Sequence, residues 1–261
     1  MSTPFCFRAR LAPALGTLLL FPCIAFALPS CTYPTLPSFA TLTTTLQTVV
    51  NAQNNGGFGL PMWATIVSRQ AFVCTVTRSG ALGAEWPGSR VISAQKANTA
   101  NAFSLPGLAL STANLYSAVQ PGGSLFGLQE SNPVDTAAAY AGNPEQYGTL
   151  NDALVGHQAG GVNVFGGGLA LYDASGTLVG AIGVSGDSSC ADHVIAWKVR
   201  HMLNLDYVPG GVSGDAQRPD NIVYDIIGGN SAAIAGKSAS GWGQPHCLPT
   251  DVNPSSLPAT Q

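Results

Sequence analysis

The sequence predicts an α+β domain, an antiparallel sheet with helices laid against it. Three observations carry this. Apolar residues recur at helical spacing over 38–54 and again from residue 189. Two pairs of short apolar runs are each joined by a tight polar link, so hairpins dominate and the strands pair antiparallel. The order is helix, strand, strand, helix, insertion, strand, strand, helix, tail, which suits a layered domain.

Ser38 to Asn54 reads as a helix: Phe39, Leu42, Leu46, Val49 and Val50 share one face, and Asn55-Gly56-Gly57 stops it. Pro61 to Val67 reads as a strand apolar on both faces, and Ala71 to Thr77 as its partner across Ser68-Arg69-Gln70. Ser89 to Phe103 is helical by composition and ends at Leu105-Pro106-Gly107. Residues 105–166 carry Pro121-Gly122-Gly123, Asn132-Pro133 and Asn143-Pro144 and read as an insertion of loops and short helices. Gly168–Tyr172 and Thr177–Val184 form the clearest hairpin, across Asp173-Ala174-Ser175-Gly176. In the last helix Ala191, Val194, Ile195, Val199, Met202 and Leu203 make one stripe, with Ser189 as the expected cap and Asp192 three residues on. Residues 208–261 form a glycine-rich extension with one expected strand at Asn221–Ile227.

The N-terminus reads as a secretory signal. Arg8 and Arg10 precede an apolar run that ends in Ala25-Phe26-Ala27, so residues 1–27 are expected to be cleaved and the mature chain to start at Leu28. Pro13 and Pro22 interrupt the run, against a membrane anchor, and no later stretch is apolar enough to span a bilayer. The expected location is secreted or periplasmic. Loss of both arginines leaves 8 basic against 13 acidic residues, so neither nucleic acid nor an anionic membrane surface is attracted. Only 9% of residues are charged, while 46% are hydrophobic, which describes a real core rather than a disordered chain.

Cysteine use agrees with export. Cys31, Cys74, Cys190 and Cys247 remain after cleavage, with no C-x-x-C to suggest zinc or redox chemistry. Four cysteines allow three pairings. The layout favours Cys190–Cys247, since the tail is long enough to return to the last helix. It also favours Cys31–Cys74, since the first helix must pack beside the sheet that carries Cys74.

The run Leu178 to Trp197 holds three glycines, Gly180, Gly183 and Gly186. It is no phosphate cradle, for it lacks both G-x-x-x-x-G-K-[ST] and G-x-G-x-x-G. It fails as a nucleophile elbow because Asp187 stands at the final glycine of Gly183-Val184-Ser185-Gly186-Asp187. The remaining reading is small residues where helix and strand backbones approach closely.

Those residues, Gly168 to Tyr172 and then Gly176 to Gly186 with Asp192 opening a helix, resemble the GlcG/HbpS family of haem-binding proteins, related to the C-terminal domain of PduO-type proteins. A second block agrees: Gly88-Ser89, then Lys96-Ala97, Thr99-Ala100 and Phe103. Leu60-Pro61 before the first strand also fits. The resemblance covers roughly residues 38–205. It implies a profilin-like α/β sandwich, homo-oligomeric assembly, and haem or a related tetrapyrrole as ligand. Some members are extracellular and feed a sensor system. The chain departs from the family at Ser68-Arg69-Gln70, where Asp and Gly are usual; at His193, where Glu is usual; in its longer insertion; and in its cysteine-bearing tail.

Haem needs an apolar slot, an axial ligand and donors for its propionates. His193 and His157 are the candidate iron ligands, and Lys96, Thr99 and Arg90 the candidates for the ligand's polar edge. His193 lies opposite the apolar stripe of its helix, so its ring is expected to reach solvent or a partner subunit. His157 is in a glycine-flanked loop. His201 is expected to pack and His246 to belong to the tail. Lys96 could equally solvate a helix face. Asp187 and Asp192 suit a helix N-terminus without any catalytic duty. Leu108, Leu110, Leu115, Leu125 and Phe126 add apolar surface for assembly, unless they fold back onto the domain's own core. No catalytic set emerges. Two readings stay open: a haem-binding or haem-sensing protein, and an enzyme of the same fold acting on haem or a small organic molecule under a loop lid.

Overall fold

A computed structural model of the chain describes Cys31 and residues 36–227 and 236–261. The expected signal peptide, residues 1–27, lies outside the described residues. Four strands, β1 (Trp63–Ser68), β2 (Val73–Arg78), β3 (Gly168–Tyr172) and β4 (Leu178–Ser185), form one sheet in the order β2-β1-β4-β3. Every pairing is antiparallel. The sheet is covered on both faces, so β1 and β3 are buried along their whole length.

Strand alternation divides the core. Ala64, Ile66, Leu169, Leu171, Ile182 and Val184 face helices α1 (Phe39–Asn51) and α5 (Ser189–Met202). Trp63, Val67, Val73, Val76 and Ala181 face helix α2 (Ser89–Phe103) through Ala94, Ala97 and Ala100. Each large apolar side chain so buried contributes roughly 1.5–3 kcal/mol. The arrangement is the helix–sheet–helix sandwich that the sequence predicts.

The glycine run has its explanation in this packing. Gly183 pairs with Thr65 on one side and Gly168 on the other, and α2 lies directly on the glycine pair. A Cβ at Gly183 would sit 1.9 Å from the Ser93 carbonyl oxygen, and one at Gly168 would sit 2.5 Å from that of Lys96. Thr65 and Ser93 close the contact with a 2.7 Å hydroxyl–hydroxyl bond. The low sheet face therefore receives a helix backbone, as the reading of close helix–strand approach expects.

Helix α1 is capped by Ser38, whose hydroxyl accepts from the Thr41 N–H. Helix α5 is capped by Ser188 rather than the expected Ser189; the Ser188 hydroxyl accepts from the Ala191 N–H. The insertion holds helices α3 (Leu128–Ser131) and α4 (Thr136–Ala139) and one-turn 3-10 segments at Ser117–Val119 and Pro144–Gln146. Leu110 and Leu115 are buried and pack with Val119, Val162 and Val164, while Leu108 and Leu125 are partly buried against them. Of the five apolar residues expected to promote assembly, only Phe126 stays well exposed, at 66%. The other four fold back on the chain itself.

The extension contributes less strand than expected: β5 (Ile226–Ile227) pairs only with β6 (Lys237–Ser238). Its remaining described residues are held by backbone and side-chain contacts. Disulfides join Cys31 to Cys74 and Cys190 to Cys247. They span 43 and 57 residues, and in the chain-entropy picture such loops stabilise by roughly 4 kcal/mol each. No described helix is long and apolar enough to cross a membrane.

Candidate functional site

The turn from β4 into α5 gathers the buried polar groups. Asp187 accepts from the backbone N–H groups of Phe58, Leu60 and Ser188, fixing the turn against the loop after α1. Asp192, one turn into α5, accepts from the Asp187 N–H at 3.0 Å. Its other oxygen lies 2.6 Å from Lys96 Nζ, which reaches across the sheet end from α2 and also donates to the Val184 carbonyl at 3.1 Å. Neither side chain of this ion pair reaches solvent. Burial pushes the Asp192 carboxyl up to about 6, with Lys96 opposing the shift, and pushes the Lys96 ammonium down.

The insertion closes the pair from one side. Phe165 lays its ring 4.9 Å from Lys96 Nζ. Gly167, at φ 122°, allows the approach: a Cβ there would lie 2.9 Å from Lys96 Nζ and 3.0 Å from the Asp192 Cβ. A Cβ at Gly166 would lie 2.9 Å from the Cβ of His193.

His193 is wholly buried, not facing solvent or a partner subunit as the sequence suggested. The C-terminal extension covers the helix face that the apolar stripe leaves free. Ile222 donates its backbone N–H to His193 Nε2 at 3.1 Å, and Asn221 Oδ1 lies 3.1 Å from the same atom. His193 Nδ1 has no partner. Burial pushes the imidazole down to about 4, so it is neutral at physiological pH. Because Nε2 accepts the Ile222 N–H, the neutral ring carries its proton on Nδ1, and the lone pair with the chemistry of an iron ligand is the one on Nε2 that Ile222 occupies.

The other predicted residues go elsewhere. Arg90 is buried; it pairs with Asp152 of the insertion, donates to the Ala139 carbonyl at 2.6 Å and stacks on Tyr147. Its donors are spent on holding the insertion, which corrects the reading that offers them to a propionate. Thr99 donates to the Gln95 carbonyl and accepts from the Asn163 N–H, so it too anchors the insertion. His157 is exposed, and its backbone carbonyl accepts from Val73 at the far end of the β1–β2 pair. Val67, opposite Val73, is three residues from Ala64, opposite Val184, or roughly 10 Å along the strand. His157 and His193 therefore do not share one site. His201 bonds Asp206 at 2.7 Å and is about one-third exposed, less packed than expected.

Sequence reasoning missed three partners. Asp192 looked like a helix-dipole residue and is the counter-ion of Lys96. Asp220 and Gln244, from the extension, looked like tail. Asp220 forms a buried two-armed ion pair with Arg200 at 2.6 and 2.8 Å. The available signal was the scarcity of charge: in so apolar a chain, each buried cation needs its own counter-ion.

A cleft of about 720 Å³ lies elsewhere, between the 116–124 loop and the 236–242 stretch, and it is lined by Tyr116, Lys237 and Trp242 among others. It contains none of the predicted residues and no histidine. One group of possible metal-ligating side chains occurs among the described residues, Cys190, Cys247 and Asp251, and its two sulfurs are already bonded to each other.

A family model described as haem degrading protein HbpS-like matches residues 40–200. No curated protein matches the chain significantly. Solved structures similar to it include Klebsiella pneumoniae protein ORFY, 22% identical with a TM-score of 0.43, covering 64% of this chain and 90% of that one. A PduOC:haem complex is 24% identical with a TM-score of 0.45, covering 65% and 94%. A double mutant of Streptomyces reticuli HbpS is 18% identical with a TM-score of 0.41, covering 75% and 99%.

Proposed function

We propose that this chain, which belongs to the HbpS-like family, is an exported protein that binds haem or a related tetrapyrrole. The observation that carries the reading lies inside the family match: His193 is neutral and buried, and its lone-pair nitrogen Nε2 is held by groups of the C-terminal extension, the Ile222 N–H and Asn221. Such a nitrogen is what haem iron takes as an axial ligand, and the iron would supply the spectral and redox chemistry. His193 is the iron ligand in this reading, and His157 is not. In this reading Lys96 meets a propionate only where the ligand displaces Asp192, since both contacts of its ammonium are internal.

Export rests on the basic and apolar N-terminus with its A-x-A end and on the two disulfides. Residues 1–27 are then removed, residues 28–207 make the family domain with its 105–166 insertion, and 208–261 are an addition to it. Homo-oligomeric assembly belongs to the same reading. It is supported by the exposure of Phe58, Trp86, Phe126, Tyr140 and Leu150.

Haemochromogen analysis of protein purified from haem-supplemented cells tests the reading. Near-stoichiometric haem is expected after reduction with dithiothreitol and loading with haemin, and its absence then counts against it. Catalytic loss of the haem band in the presence of a reductant would replace binding by turnover.

A further inference from the structure

Two described stretches of the extension, Asp220–Tyr224 and Gln244–Cys247, close over the start of α5. The first occupies His193 Nε2 with the Ile222 N–H. The second accepts from the Gly166 N–H through Gln244 Oε1 at 2.7 Å, donates from Gln244 Nε2 to Ser189 Oγ at 3.0 Å, and ends in the Cys190–Cys247 disulfide. The stretches also hold each other, since the Gln244 N–H donates to the Val223 carbonyl at 2.9 Å and Tyr224 stacks on His246 at 4.0 Å. We propose that these two stretches form an autoinhibitory cover over His193, and that the Cys190–Cys247 disulfide is its thiol-cleavable latch.

The two sulfurs differ as exchange requires. Cys190 is buried at 1% exposure, whereas Cys247 is partly exposed beside the open pocket of His246, Leu248 and Pro249. An incoming thiolate therefore meets Cys247 first. Donors already surround these sulfurs. The Cys190 N–H, in the first turn of α5, lies 3.2 Å from Cys247 Sγ, and the Ser189 hydroxyl lies 3.4 Å from it. Gln244 Nε2 is 3.6 Å from Cys190 Sγ. The thiolate that leaves, Cys190, sits in the first turn of α5 with Gln244 Nε2 as its donor, while the Pro245 carbonyl 3.6 Å from its sulfur works against it. Asp251, whose carboxylate lies within 4.8 Å of both sulfurs, opposes it in part. Cys74, in the other disulfide, meets only the Phe72 carbonyl through its sulfur among the described residues.

The co-reactant is a dithiol. Its first thiolate bonds to Cys247 Sγ, the Cys190–Cys247 bond breaks, and Cys190 leaves as a thiolate that takes up a proton. The second thiol of the reductant then displaces Cys247, which is protonated in turn, and the reductant departs as its own disulfide. Two electrons and two protons have moved to the protein.

The idea that an opened cover admits haem rests on the proposed function; the cover itself does not. The test uses the full mature chain and two variants, Cys190→Ser/Cys247→Ser and, as control, Cys31→Ser/Cys74→Ser. Hydrogen exchange of the backbone at 165–167 and 244–247, and modification of His193 by diethyl pyrocarbonate, are read with and without dithiothreitol. Exchange and His193 modification should each rise at least tenfold in the latch variant, and in the reduced control variant, but not in the oxidised control. Unchanged exchange, or faster exchange with His193 still unreactive, overturns the cover. Haemin titration of the same samples is a separate readout. An opened cover without tighter haemin binding leaves the cover standing and removes haem from His193.

Discussion

Lys96 Nζ lies 2.6 Å from Asp192 Oδ2 in a place that water does not reach, and the pair joins the helices on opposite faces of the sheet. Breaking such a pair leaves one buried charge uncompensated. Asp192→Asn should therefore destabilise the protein by about 3–5 kcal/mol. Lys96→Met combined with Asp192→Leu should recover most of that loss, because two well-packed apolar groups avoid the desolvation penalty altogether. Denaturant melts of the single and double variants check this, and an additive double variant would contradict it.

The two buried titrating groups at the start of α5 act with opposite sign on stability. Burial raises Asp192 from 3.8 to about 6, so the folded chain holds the extra proton and this contribution is lost as pH rises through that range. Burial lowers His193 from 6.5 to about 4, so its contribution is present above 6.5 and lost as pH falls towards 4. The slopes oppose each other between about pH 4 and 6 in the ligand-free protein. His193→Gln should remove one of them, and the wild type should gain about 3 kcal/mol over this variant from pH 4 to 6.5. Urea melts across that range would show it; a pH-independent difference would not fit a buried neutral histidine.

Gly183 is required by backbone contact. A methyl group there meets the Ser93 carbonyl and the Ala97 N–H of α2, neither of which can rotate away. Gly183→Ala should cost at least the 1–3 kcal/mol of overpacking, whereas Gly176→Ala, with open space around its Cβ, should cost only the strain of its φ of 74°. Thermal melts of both variants compare them directly.

Assembly is checked by light scattering. The family reading predicts a particle larger than one mature chain, with exposed apolar side chains at Phe58, Trp86, Phe126, Tyr140 and Leu150 available to an interface. A monomer at every concentration tested would leave those side chains without a partner.

The core was legible because its signals are local. The stripe Leu42, Leu46, Val49, Val50 and the turn at Asp173–Gly176 follow from period and residue type, and both appear where the pattern puts them. The Ser89–Phe103 helix was found to the residue. The cap of α5 slipped by one because Ser188 and Ser189 offer the same hydroxyl. What the sequence hid was contact between distant segments. Arg90 meets Asp152 sixty-two residues on, Lys96 meets Asp192 ninety-six on, and His193 vanishes under Ile222 from a stretch without periodicity. A helical wheel sees only its own helix, so it exposes any residue off the apolar stripe, and that is how His193 was misplaced.

Haemin titration followed at the Soret band tests the central claim most directly, on the wild type, the Cys190→Ser/Cys247→Ser variant and the same variant carrying His193→Ala. The account predicts a saturable shift, reached at lower haemin in the latch variant than in the wild type, and a moved or lost band once His193 is replaced. No saturable shift in any of the three, or an unchanged band without His193, would contradict it.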